Sequence, residues 1–188
     1  GRHLEAKGYI ARGGQMVDAT IVPVPRQRNS RDENEQIKTG ATSEDWKKHP
    51  SKNRQKDKDA RWTKKHGRSF FGYKNHVNAD ARHKLIRDYT VSDASEHDSQ
   101  KLDDLLNQGN TSRDVYADSA YRSAETEAAL EARGFNSRIH SRGSRNHPLS
   151  DGQVEANRSK SKVRARIEHV IGAPENGECA GRADRSND

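Results

Sequence analysis

"GGQMVDATIVPVP", residues 13–25, is the stretch on which the fold turns. Gly13 and Gly14 turn the backbone into a run holding Val17, Thr20, Ile21, Val22 and Val24, and Pro23 and Pro25 stop it, so the segment predicts a β-strand. Asp18 sits inside that run. Aspartate is depleted in strands because it competes for backbone hydrogen bonds and resists burial. Either a buried Arg or Lys holds this carboxylate, or it has a chemical task.

On the N-terminal side, "GRHLEAKGYIARGG" predicts the tail of a short helix closed by Gly8. On the C-terminal side, from about 26 to 68, apolar residues almost vanish, and Trp46 and Trp62 are the only large hydrophobes. That composition predicts a mobile polar insertion with at most transient helix, anchored by the two indoles. "SFFGYKNHVNADARHKLIRDYTVSDAS" then predicts a hairpin: Phe71, Tyr73, Asn75 and Val77 alternate, "NADARH" turns, and Leu85, Ile86, Tyr89 and Val91 return. Leu102, Leu105 and Leu106 share a helical face ending at Gly109. Val115 to Ala117 is a short buried strand breaking at Asp118. Ser123 begins a helix that Gly134 ends, a brief strand lies around Ile139, and "SRNHPLSDG" is a loop. A last helix, about 154 to 172, carries the apolar stripe Val163, Ile167, Val170 and Ile171. The order is α/β around a mixed sheet flanked by helices.

Two further carboxylates stand where ligands are held. Asp118 lies where a strand meets the loop to the next helix, and Glu168 flanks the apolar stripe of the last helix, so it can reach toward a sheet edge. Each has a plain alternative: Asp118 could cap the turn after its strand, and Glu168 could pair with Arg164 one turn earlier. Taken together, carboxylates from separated elements converging on one edge suit a pair of hard divalent cations, Mg²⁺ or Mn²⁺, which want oxygen ligands. Two such ions about 4 Å apart would activate an attacking oxygen and stabilise the leaving oxygen of a phosphoryl displacement. A zinc site is disfavoured, with a single cysteine, no HExxH and no zinc spacing among the nine histidines.

Composition limits the partners. Lys plus Arg exceed Asp plus Glu by 35 to 28, which favours phosphate-rich partners, although a solvated, salt-bridged surface would have the same composition. The lone cysteine, Cys179, excludes an intrachain disulfide and fits a reducing compartment. No apolar run is long enough to span a membrane and no signal peptide is legible, so the expected setting is the cytoplasm.

The blocks "GGQMVDATIV", "FFGYKNHV", "SDASEHDS", "DVYADSAYRS" and "RARIEHVIG" occur in the order, and at roughly the spacing, of the catalytic domain of DDE-type transposases of bacterial insertion sequences. The closest resemblance is to the insertion sequence five family, over about residues 8–173. It implies a ribonuclease H-like fold with Asp18, Asp118 and Glu168 as catalytic residues and as ligands of two Mg²⁺ or Mn²⁺ ions. It also implies metal-dependent DNA cleavage and strand transfer, with transposon ends and target DNA as partners, and it leaves a homo-oligomer open. Related families carry a signature of Tyr, two residues, Arg, three residues, Glu, six residues, Lys. Arg164 and Glu168 match it, while Ser161 and Glu175 stand at the outer positions. Arg164, Lys74, His76 and Arg122 are the candidate DNA contacts, the last three with an equal reading as ordinary polar residues.

Both ends depart from the resemblance. Transposases of this kind carry an N-terminal helical region that reads the terminal repeats, and here only a partial helix precedes the first strand. Residues 174–188 have almost nothing to bury and read as a disordered, out-of-register tail following a domain of residues 1–173. The expectation is a transposase catalytic domain truncated at both ends, and the alternative is an inactive nucleic-acid-binding remnant.

Overall fold

The computed structural model describes residues 13–171 of the chain. The partial helix expected before Gly8 and the tail expected from residue 174 lie outside the described residues.

The stretch 13–25 forms strand β1 (Gln15–Pro23), entered through Gly14 at a φ of 106°. Three short helices follow, α1 (Arg31–Lys38), α2 (Glu44–Lys48) and α3 (Pro50–Arg54), and then strand β2 (Arg61–Lys65). Strands β3 (Arg68–Asp80) and β4 (Ile86–Asp93) make the expected hairpin. A 3₁₀ turn (Asp98–Lys101) runs into α4 (Leu102–Leu105), β5 (Asp114–Tyr116) leads to a second 3₁₀ turn (Ser119–Tyr121), and α5 (Ala124–Ala132), β6 (Asn136–Ser137) and α6 (Asp151–Ile171) complete the order.

One mixed sheet joins the six strands. β1 runs antiparallel to β3, and the other edge of β3 is shared end to end by β2, against residues 68–72, and β4, against residues 73–79. On its free side β1 pairs in parallel with β5, and β5 in parallel with β6.

Period-two alternation divides β1 between two cores. Val17 faces one side with Val115, Ala117 and the leucines of α4, against Leu130 of α5. Met16 faces the other with Ala79 and Ala81, against Ile167. Val163, Val170 and Ile171 pack around that second cluster, so the stripe expected on the last helix is the face that docks α6 on the sheet. The expected cap of α5 is also in place: the Ser123 side chain accepts a hydrogen bond from the Thr126 backbone N–H.

The polar insertion differs from its expectation. Residues 26–68 are built into helices and a sheet strand, for two physical reasons that composition does not display. Ser30 and Glu33 form a reciprocal capping box on α1, and the same Glu33 accepts the Trp46 indole N–H at 2.7 Å, so one acid joins two helices. Trp46 is fully buried and is flanked by the Lys56 and Lys58 ammonium groups at 5.2 and 5.9 Å from its ring. Trp62 is not a second buried anchor; it stays 48% exposed on β2.

Candidate active site

The parallel register of β1 and β5 decides the geometry. Gln15 pairs with Val115 and Met16 with Tyr116, so two further residues along both chains bring Asp18, still within β1, beside Asp118, just past the end of β5, where the parallel pairing stops. Alternation from Met16 and Tyr116 points both toward the face that α6 covers. Carboxyl ends of parallel strands are where α/β sheets hold ligands.

Asp18 is the more enclosed of the two. Its Oδ1 accepts the Ala19 backbone N–H at 2.9 Å, and its Oδ2 accepts from the Arg164 guanidinium at 3.5 Å. Burial raises its pKa above the ordinary carboxylate value, Arg164 offsets part of that rise, and the charge of Asp118 adds to it. Asp118 lies two residues past β5 and caps the following 3₁₀ turn, its Oδ1 accepting the Ala120 N–H at 2.6 Å. The two plain alternatives read from the sequence for these acids, a cationic partner and a turn cap, are therefore both present. Both arrangements also fix the carboxylates at one edge.

Arg164 reaches this edge from α6. Its second arm meets His140 Nδ1 at 3.4 Å, and the far ring nitrogen of His140 lies 3.3 Å from Ser161 Oγ. Burial and the Arg164 charge both lower the His140 pKa, so the ring is neutral at pH 7 and accepts from the guanidinium. No sequence signal marks His140: it follows a two-residue strand, and the backbone bond from its N–H to the Ala117 carbonyl helps bring it here.

The remaining candidates separate. Glu168 follows the fully buried Ile167 one turn beyond Arg164, on the flank of the docked stripe, and its side chain is exposed. Among the described residues no three His, Cys, Asp or Glu side chains are grouped closely enough to hold a metal ion, so Glu168 does not close on the aspartate pair. Lys74 and His76, read from the sequence as candidate DNA contacts, turn inward. Lys74 is ion-paired to Asp98 at 2.9 Å with little exposure, and His76 is fully buried with Nε2 2.8 Å from Ser92 Oγ. They lie on one face of β3, directed at the 3₁₀ turn beside α4. Arg122 remains partly exposed, bonded to Ser141 Oγ at 3.2 Å and near Glu127 at 3.5 Å.

Residues 11–188 match the family described as the transposase DDE domain. The chain belongs to that family. Over 177 residues it is 36% identical to the transposase for insertion sequence element IS1106 of Neisseria meningitidis serogroup B, an alignment covering 91% of this chain and 57% of that protein. This DDE-domain chain thus spans a little over half the length of the curated relative it matches. No solved structure matches it. Among the described residues no helix is long and apolar enough to cross a membrane.

Proposed function

We propose that this chain is the catalytic part of a DDE transposase, with Asp18, Asp118 and Glu168 as the carboxylates of a divalent-cation site that cuts and rejoins DNA. The observation that carries the reading is the β1–β5 register, which sets Asp18 beside Asp118 where the parallel pairing of the two strands stops. The sheet supports a ribonuclease H-like fold: three antiparallel strands, β4–β3–β1, continue into two parallel ones, β5 and β6, with helices on both faces.

The donor set fits a hard cation in two of its three parts. Asp18 and Asp118 offer oxygen side by side, the Asp18 carboxyl raised above its ordinary pKa chiefly by burial. Glu168 is the third member by its place on α6, one turn past the arginine that already touches Asp18. Divalent cations bound there would activate the attacking oxygen and stabilise the leaving oxygen of a phosphodiester displacement. The chain's own residues do the rest. Ala19 N–H and Ala120 N–H hold the two aspartates in place, Arg164 offsets the charge of Asp18 and would be available to a DNA phosphate were cations to take over that role, and neutral His140 steadies the guanidinium.

The test is nicking of supercoiled plasmid by the full chain with Mg²⁺ or Mn²⁺. Asp18→Ala, Asp118→Ala and Glu168→Ala are each expected to lower the rate by about 10³-fold or more. Cleavage that persists in all three sinks the assignment. Unaltered DNA binding with no cleavage by any form identifies an inactive remnant.

A further inference from the structure

Between Asp59 and Asp80 the chain holds no carboxylate, yet Arg61, Lys64, Lys65, His66 and Arg68 fall on the β2–β3 hairpin. This hairpin outruns the sheet. β1 ends at Pro23, opposite Gly72, and beyond that point residues 68–71 of β3 are laddered to β2, with one added bond from Val24 N–H to the Phe71 carbonyl. Its tip turns through His66 and Gly67, both at positive φ (49° and 77°), as in the tight turns that follow strand twist.

A two-stranded ribbon is marginal alone, and this one is braced. Trp62 and Phe71 are register partners with ring centroids 5.3 Å apart, and Arg26 lies over the indole at 5.7 Å while donating to the Ser69 carbonyl at 3.3 Å. The brace holds the cations outward: Lys64, Lys65, His66 and Arg68 are all exposed, and among the described residues none of them forms an ion pair. A solvated face would interleave acids with these charges. The tip also lacks the apolar centre that a protein interface needs, which suits a polyelectrolyte partner.

We propose that the β2–β3 hairpin is a DNA-backbone arm, laying Lys64, Lys65 and Arg68 on the phosphates of a duplex. The identity of the polyanion rests on the transposase reading; the arm itself rests on its charge and bracing.

The experiment is fluorescence anisotropy of a short labelled duplex with the full chain, without divalent metal, across a salt series from about 50 to 200 mM. Lys64→Gln with Lys65→Gln and Arg68→Gln should weaken binding at least tenfold and flatten the slope of log K against log salt by about 2 to 3. A charge-matched control, Lys38→Gln with Lys48→Gln and Arg145→Gln, should lose far less, and Lys64→Arg with Lys65→Arg should bind like the wild type. Circular dichroism melts check that the arm variant remains folded, as expected for exposed tip residues. Equal losses in arm and control variants overturn the arm, even if Asp18-dependent nicking is intact. Binding through the arm without nicking overturns the catalytic reading and leaves the arm standing.

Discussion

Asp18 is a residue whose position costs the fold stability. Burial raises its pKa, so between the unfolded and folded values the native chain holds a proton that the unfolded chain releases, and stability falls as pH rises through the folded value. Without metal, Asp18→Asn should therefore melt at a higher temperature than the wild type near pH 7.5, with the gain shrinking toward about pH 4. A lower melting temperature for the Asn variant at neutral pH would mean that the Arg164 pair outweighs burial. Gly72 is the second residue under constraint. Its φ is 154° and a Cβ there would lie 2.2 Å from the Val22 carbonyl oxygen, so Gly72→Ala should lose more than about 1 kcal/mol in denaturant titration. Single residues were legible from sequence where they broke a local rule: an aspartate amid Val17, Thr20 and Ile21 announces itself. Lys74 and His76 broke none, and which face of β3 they take is fixed by pairing with β1 and β4.

At the scale of elements, legibility followed the source of stability. The α6 stripe is an apolar repeat at helical spacing, and it docks as that spacing requires. Ile167→Ala should accordingly cost about 2 to 5 kcal/mol by chemical denaturation, a loss that an undocked helix would not show. The insertion was illegible because it is held by polar economy, a capping box and an indole N–H on a carboxylate, which average composition reads as disorder. Its order is measurable through its two indoles. Trp46→Phe leaves Trp62 as reporter and should give red-shifted emission readily quenched by acrylamide, whereas Trp62→Phe leaves Trp46 and should give protected, blue-shifted emission. Equal quenching of both would show an insertion that is not folded.

For the molecule as a whole, the proposed site predicts that metal and stability are coupled. A cation that binds the native carboxylates and not the unfolded chain stabilises by mass action, about 2.7 kcal/mol at a hundred times its Kd. Millimolar Mg²⁺ should raise the melting temperature of the wild type and leave that of Asp18→Asn unchanged; a wild type indifferent to metal would count against a cation site at the aspartate pair. The order of the strands has a last consequence, in time and not in space. Asp18 and the arginine that answers it lie 146 positions apart, on the first described strand and the last helix. Contacts so distant along the chain form late in folding. During synthesis both aspartates precede α6, so an unfinished polypeptide carries the acids without the helix whose Arg164 answers Asp18. Any capacity to break DNA would be withheld from nascent chains until translation has passed Ile171.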